Sequence, residues 1–378
     1  MKIIRYFLFF ISVISFVQVS AARKKGTPKE ERLHPLDIVF CLDLSGSTNG
    51  LIDDVREQLW TIINQANLME PAPDLRIGII GFSRPSFGKE QAYVKVLSNL
   101  TTDFDSLAYE LYKLRPAVEQ GSQYVNAALT VAMNEINWGK EASNTKLVFV
   151  VGNGMASQRG IDIVSTCSLL AKRHIIVNSL FVVSKGKNQG QALGGWRKIA
   201  ELTGGLQGEI AVGKKEAVSD LDFNFNELID LNHVLNSTYL FHGDNGKTNY
   251  RRFNALDSAL YLEGLPYYYQ RVWYKQSARF QNTQAHWDLI DYIKSPIGDL
   301  DKVNPRTITD SLQFYSPTQL RELIISKKEA REVVLRNLRL LYKNNYVQTT
   351  HKKFLNHEFP DSNIFSRSVI NMLLQEWK

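Results

Sequence analysis

Leu36-Asp37-Ile38-Val39-Phe40-Cys41-Leu42 runs straight into Asp43-Leu44-Ser45-Gly46-Ser47, and the stretch from Leu51 to Leu68 beyond it reads as a helix. A continuous apolar run of this length fits a central parallel strand covered on both faces. The loop after it places one carboxylate and two hydroxyls at alternate positions, so three oxygens can meet in one small space. Such oxygen donors suit a hard divalent cation: Mg²⁺, Mn²⁺ or Ca²⁺. The same Ser and Gly residues also suit plain capping of the next helix, and D-x-S-x-S taken alone arises often by chance. Its position between a buried strand and a helix favours the metal reading.

Outward from this stretch, apolar strands alternate with amphipathic helices from residue 36 to residue 222. The strands read as Asp37–Leu42, Leu75–Phe82, Tyr93–Leu97, Leu147–Val151, Ile175–Val182 and Gly208–Val212. The helices read as Leu51–Leu68, Phe104–Leu114, Val125–Trp138, Ile161–Lys172 and Trp196–Leu202. This alternation predicts an α/β fold with a doubly wound, mostly parallel sheet and right-handed crossovers. Tyr93–Leu97 follows the preceding strand over a short loop and is expected to be an antiparallel edge. Ligands of open α/β sheets bind beyond the carboxyl ends of the strands. Asp43, Ser45, Ser47, Ser83 and Asn153 all fall at such ends.

The D-x-S-x-S pattern in this setting resembles the metal-ion-dependent adhesion site of von Willebrand factor A domains. That resemblance implies a Rossmann-like fold and a non-catalytic, metal-dependent protein-binding module whose partner supplies a carboxylate to the metal. It implies two further contributors. The hydroxyl expected before the middle helix maps to Gln120-Gly121-Ser122-Gln123, where Ser122 alone carries one. The aspartate expected after the fourth main strand maps to Gly152-Asn153-Gly154, where Asn153 stands instead. An amide keeps an acceptor oxygen but loses the charge, and fewer anionic ligands weaken cation binding. Two readings follow: weak Mg²⁺ binding completed by the partner's carboxylate, or a degenerate site on a metal-independent envelope scaffold. Trp196-Arg197-Lys198-Ile199-Ala200-Glu201-Leu202-Thr203-Gly204-Gly205-Leu206 is similar to the family's last helix and its Thr-Gly-Gly ending. Residues 223–378 resemble the C-terminal extension of exported bacterial proteins with this domain, through Leu235-Asn236-Ser237-Thr238-Tyr239, Arg271, Lys275, Trp287-Asp288-Leu289-Ile290-Asp291 and the Arg331–Leu341 helix. No biochemical role comes with that part.

The extension is expected to be mainly helical. Ser316-Pro317 reads as a helix start, with Leu320, Ile324, Val334, Leu338 and Leu341 on one face. Trp287 is expected in a core with Asp288 capping, Tyr267–Tyr269 packed on the α/β part, and Lys327, Lys328, Arg331, Arg336 and Arg339 on a solvated face. Residues 1–21 read as a secretory signal peptide: Lys2 and Arg5, an apolar stretch from Phe7 to Val19, then Val19-Ser20-Ala21. The chain is therefore expected to be exported, periplasmic or secreted, with no transmembrane segment after cleavage; an uncleaved anchor is the alternative. The formal charge of +7 falls to +5 without Lys2 and Arg5, and export makes nucleic acid an improbable partner. The two cysteines, Cys41 and Cys167, read as buried thiols, although an oxidising compartment allows pairing. The sequons at Asn99 and Asn236 matter only where exported proteins are glycosylated. Among the seven histidines there is no H-E-x-x-H, and neither a P-loop, a G-x-G-x-x-G after the first strand nor a G-x-S-x-G elbow occurs, which argues against an enzyme.

Overall fold

Alternating apolar strands and helices build, among the described residues, a six-stranded sheet with order β3-β2-β1-β4-β5-β6. The computed structural model describes residues 33–114, 124–156, 162–183, 190–214, 223–343, 346–357 and 363–377. The leader assigned to residues 1–21 and the Ser122 assignment lie outside the described residues. The strands are β1 His34–Asp43, β2 Pro73–Phe82, β3 Lys95–Thr101, β4 Thr145–Gly152, β5 Ile175–Val182 and β6 Gln207–Ile210. All neighbours pair in parallel except β3, which runs antiparallel along the edge as expected. Every residue of β1 from Leu36 to Asp43 is buried, which is why Ile38–Leu42 reads as an unbroken apolar run.

Helices α1 Leu51–Ala66 and α2 Phe104–Lys113 cover one face; α3 Val125–Glu135, α4 Ile163–Lys172 and α5 Gly190–Thr203 cover the other. Cys41 and Cys167 are buried free thiols, and burial pushes Cys167 up to about 12. The remaining helices are α6 Phe225–Asn236, α7 Gly246–Glu263, α8 Leu265–Lys275, α9 Ala278–Thr283, α10 Leu289–Lys294, α11 Pro317–Leu341, α12 Tyr346–Leu355 and α13 Phe365–Glu376. Ser316 starts α11 with a reciprocal capping box to Gln319. Leu33–Lys378 is one compact unit. Its largest core joins the α1 face of the sheet to the extension, with the Phe40 ring of β1 5.9 Å from that of Phe365 in α13.

Helix α1 is consequently buried on almost every side, including polar positions that an amphipathic helix gives to water. Three of its polar side chains find partners in the extension. Asn64 Nδ2 donates to the Gln270 carbonyl at 2.9 Å, Gln65 Nε2 to the Val347 carbonyl at 3.0 Å, and Gln58 Oε1 accepts from the Ser366 amide at 2.8 Å. Trp60 is fully buried, with its ring centroid 4.9 Å from that of Tyr274. A buried polar group without a partner costs about 1–3 kcal/mol, so these bonds are what permit the extension to cover α1.

Two ion clusters tie the extension together. Arg271 makes a two-pronged pair with Asp105 of α2 at 2.6 and 2.8 Å, its Nε reaches Asp257 at 3.2 Å, and Lys275 meets Asp257 at 2.8 Å. Asp257, beside two cations, is held well below the usual carboxylate range, and burial pushes Lys275 down to about 8. The second cluster corrects an expectation. Arg331 does not lie on a solvated face: it is fully buried, pairs with Asp288 at 2.7 Å and Asp291 at 3.1 Å, and sits 4.0 Å from the Tyr239 ring centroid. An arginine among exposed lysines and arginines carries no mark of burial in the sequence; the acidic partners Asp288 and Asp291 lie forty and more residues away in the chain. Trp287 is in the core, and Asp288 caps α10 by accepting from the Asp291 amide.

Candidate metal rim

Register fixes where the oxygen-bearing loops meet. Leu42 pairs with Val151, so Asp43 and Gly152 leave the sheet side by side. The chain winds from β1 through β2 and β3 on one side and returns through β4, β5 and β6 on the other, so the β1–β4 seam is the topological switch point where such sheets take ligands.

Asp43 is 1% exposed. Its Oδ1 accepts from the Ser45 amide at 3.0 Å. Thr48 holds the turn closed: its hydroxyl donates to the Asp43 carbonyl at 2.7 Å and the Ser45 carbonyl at 3.0 Å. Ser45 Oγ lies 2.8 Å from Ser47 Oγ, and Ser47 Oγ donates to Asn153 Oδ1 at 2.9 Å. Either hydroxyl can donate in the Ser45–Ser47 contact. Asn153 Nδ2 donates back to the Ser47 carbonyl at 3.0 Å, which fixes the amide with its oxygen toward the hydroxyls. Asp43, Ser45, Ser47 and Asn153, from two separate turns, thus converge, and among the described residues no ion pair occupies Asp43.

Among the described residues, Asp43 Oδ2 is buried without a hydrogen bond of good geometry. Burial pushes the Asp43 carboxyl up to about 6, against the lowering effect of the Ser45 amide and hydroxyl, the Asn153 amide and the Ser83 hydroxyl. An ionised oxygen in this position is costly unless a cation compensates it. The residues fit a divalent cation in kind: one carboxylate oxygen, two hydroxyl oxygens and one amide oxygen, all hard donors. They fit it weakly in charge, with one anion against two positive charges. Among the described residues no group of three or more His, Cys, Asp or Glu side chains is placed to hold a metal ion.

Three residues of the rim were absent from the expected ligand set. Thr48 clamps the turn, and only its adjacency to Ser47 marks it in the sequence. Ser83 follows β2 and is fully buried, with φ +64, a left-handed conformation uncommon for serine, and its Oγ accepts from the Tyr124 amide at 3.2 Å. Gly152 must be glycine: a Cβ there would fall 2.6 Å from Asp43 Cβ and 3.1 Å from Asp43 Oδ2. Below it the Trp196 indole donates to the Gly154 carbonyl at 2.9 Å, seating the Asn153 turn on α5.

Residues 37–196 match the sequence profile of the von Willebrand factor type A domain. This part of the chain is a von Willebrand factor A domain. Among solved structures, the conserved hypothetical protein BatB of Bacteroides thetaiotaomicron is similar at 14% identity over 47% of this chain and 90% of that one, with a TM-score of 0.35. The SpRpn10 VWA domain is similar at 14% identity over 47% of this chain and 89% of that one, with a TM-score of 0.35. Proximal thread matrix protein 1 of the mussel byssus, described with a zinc-occupied MIDAS motif, is similar at 17% identity over 47% of this chain and 42% of that one, with a TM-score of 0.36. No curated protein matches the sequence. The matched A domain reaches from β1 into α5, so it takes in Asp43, Ser45, Ser47 and Asn153 and leaves the extension unmatched.

Proposed function

We propose that the A domain is an exported protein-binding module whose rim holds Mg²⁺, or a similar divalent cation, weakly, and completes its charge with a carboxylate from a partner protein. Asp43, Ser45 and Ser47 would hold the ion, with Asn153 contributing its amide oxygen and Ser122 its hydroxyl. The bound cation would supply a positive centre able to attract an acidic side chain. The observation that carries this reading is the buried Asp43 Oδ2, which makes no hydrogen bond of good geometry among the described residues, beside three neutral oxygens. Binding is favoured over catalysis because, among the described residues, the Ser45 and Ser47 hydroxyls bond to each other and to the neutral Asn153 amide, and neither bonds to a histidine. Among the described residues no helix is long and apolar enough to cross a membrane.

Calorimetric titration of Mg²⁺ into the full chain tests it. Uptake is expected for the parent and lost in Asp43→Ala with the far-ultraviolet spectrum unchanged; equal uptake by both contradicts the assignment. A second reading rests on the closed ring Ser45–Ser47–Asn153, which satisfies those oxygens without an ion. In that case the domain is a metal-independent envelope scaffold, and partner capture by the full chain survives both EDTA and Asp43→Ala.

A further inference from the structure

The end of the sheet opposite Asp43 carries a concavity of about 430 Å³ that the proposed function does not use. Lys140, Lys146 and Arg173 line it, with Met133, Trp138 and Ile175 as its apolar walls. Lys146 is the second residue of β4 and Asn153 follows its end, so rim and concavity are on the order of 20 Å apart at the usual strand rise.

Among the described residues, three cations and no carboxylate line this space. Arg173 has a structural duty: its Nη1 donates to the Met133 carbonyl at 2.8 Å and to Asn134 Oδ1 at 3.2 Å. That bond occupies one nitrogen and fixes the guanidinium plane, leaving the other N–H groups of the fork without a partner among the described residues. Neither Lys140 nor Lys146 makes an ion pair among the described residues. The nearby buried carboxylate, Asp37, is already saturated: it accepts from Arg76 twice at 2.7 Å, from the Gly139 amide at 2.9 Å and from Asn144 at 2.7 Å. The acid that follows Lys140 in the chain, Glu141, is exposed and outside the lining. Cations gathered in a concavity without counter-charge raise the local concentration of anions.

We propose that this concavity binds a phosphate monoester, with the phosphoryl group among Lys140, Lys146 and Arg173 and the organic body against Trp138. A monoester carries about −1.5 to −2 charges at neutral pH and three strong acceptor oxygens. It therefore answers three cationic donors better than a single carboxylate does, and the planar Arg173 fork matches phosphate geometry. The volume suits a small organic molecule.

Calorimetry of the full chain in EDTA, with phenyl phosphate as probe and phenol and inorganic phosphate as controls, tests the site. Phenyl phosphate binds, inorganic phosphate binds more weakly, and phenol does not bind. The K140E/K146E double variant loses at least about tenfold in phenyl phosphate affinity, the value of one or two charge-assisted contacts, with its melting temperature unchanged. D43A binds phenyl phosphate as the parent does, which separates this site from the metal rim. Flotation on phosphatidylcholine vesicles with and without phosphatidic acid distinguishes the source: capture that requires both phosphatidic acid and the two lysines assigns the phosphate to a lipid headgroup. Absence of phenyl phosphate binding and of lysine-dependent vesicle capture, or phenyl phosphate affinity equal in parent and K140E/K146E, overturns the proposal.

Discussion

Replacing Arg271 by methionine should destabilise the whole unit, because its cluster joins α2 of the A domain to α7 and α8 of the extension. Arg271, Lys275, Asp105 and Asp257 carry two positive and two negative charges, all buried. Arg271→Met keeps most of the aliphatic volume against Trp60, over whose ring the guanidinium lies at 4.5 Å. It leaves Lys275 with Asp257 and strands Asp105. Removing one partner of a buried pair costs about 3–5 kcal/mol. An unfolding entropy of about 2.1 cal/mol/K per residue over Leu33–Lys378 amounts to about 0.7 kcal/mol/K. The melting temperature should therefore fall by about 4–7 °C at pH 7. The control is Arg321→Met, whose partner Asp301 is at 2.9 Å but whose side chains are 55% and 74% exposed; its loss should stay under about 1 kcal/mol. The sign with pH follows from Asp105, which burial keeps above its usual pKa even with Arg271 present. A carboxyl whose folded pKa is raised favours folding when protonated and disfavours it as pH climbs through that pKa. The deficit of Arg271→Met should accordingly shrink toward pH 5 in calorimetric scans. A loss no larger than that of Arg321→Met, or a deficit that grows on acidification, refutes the reasoning.

Gly152→Ala removes no proposed ligand, yet its methyl would press on Asp43; a cost of about 1–3 kcal/mol by overpacking, with loss of Mg²⁺ uptake, should appear in thermal melts and titration of the same sample. Asp43 gives a second pH test. Its folded pKa of about 6 lies above the ordinary 3.8, so its contribution to metal-free stability is present below pH 4 and lost as pH rises through 6, by up to about 3 kcal/mol. Mg²⁺ should restore that stability above pH 6, and its apparent affinity should fall by about tenfold per pH unit below 6; pH-independent uptake contradicts Asp43 as the anionic ligand.

The strands that build the sheet were legible because burial on both faces writes itself as unbroken apolar runs, as in β1 and β4. The rim was legible for the same reason: Asp43 and Asn153 interrupt those runs at their carboxyl ends, and parallel register does the rest. What the sequence hid was the use of polar residues inside. Gln58, Asn64 and Gln65 look like the wet face of α1 until the extension supplies partners hundreds of residues away. Arg331 looks like one more surface cation in a basic helix. Ser83 could be placed on the rim, but nothing local announces its left-handed backbone or its bond to the Tyr124 amide. The sequons are quieter than their motif suggests: Asn99 Nδ2 donates to the Glu135 carbonyl, and Asn236 Nδ2 to Asp257.

The central claim is that the rim gathers the right oxygen atoms with too little negative charge, and Asn153→Asp addresses it directly. Mn²⁺ titration of the full chain, followed by electron paramagnetic resonance, should show affinity at least about tenfold higher in Asn153→Asp than in the parent, since one more anionic ligand strengthens a hard-cation site. Unchanged Mn²⁺ affinity in Asn153→Asp, with the fold intact, would contradict the account.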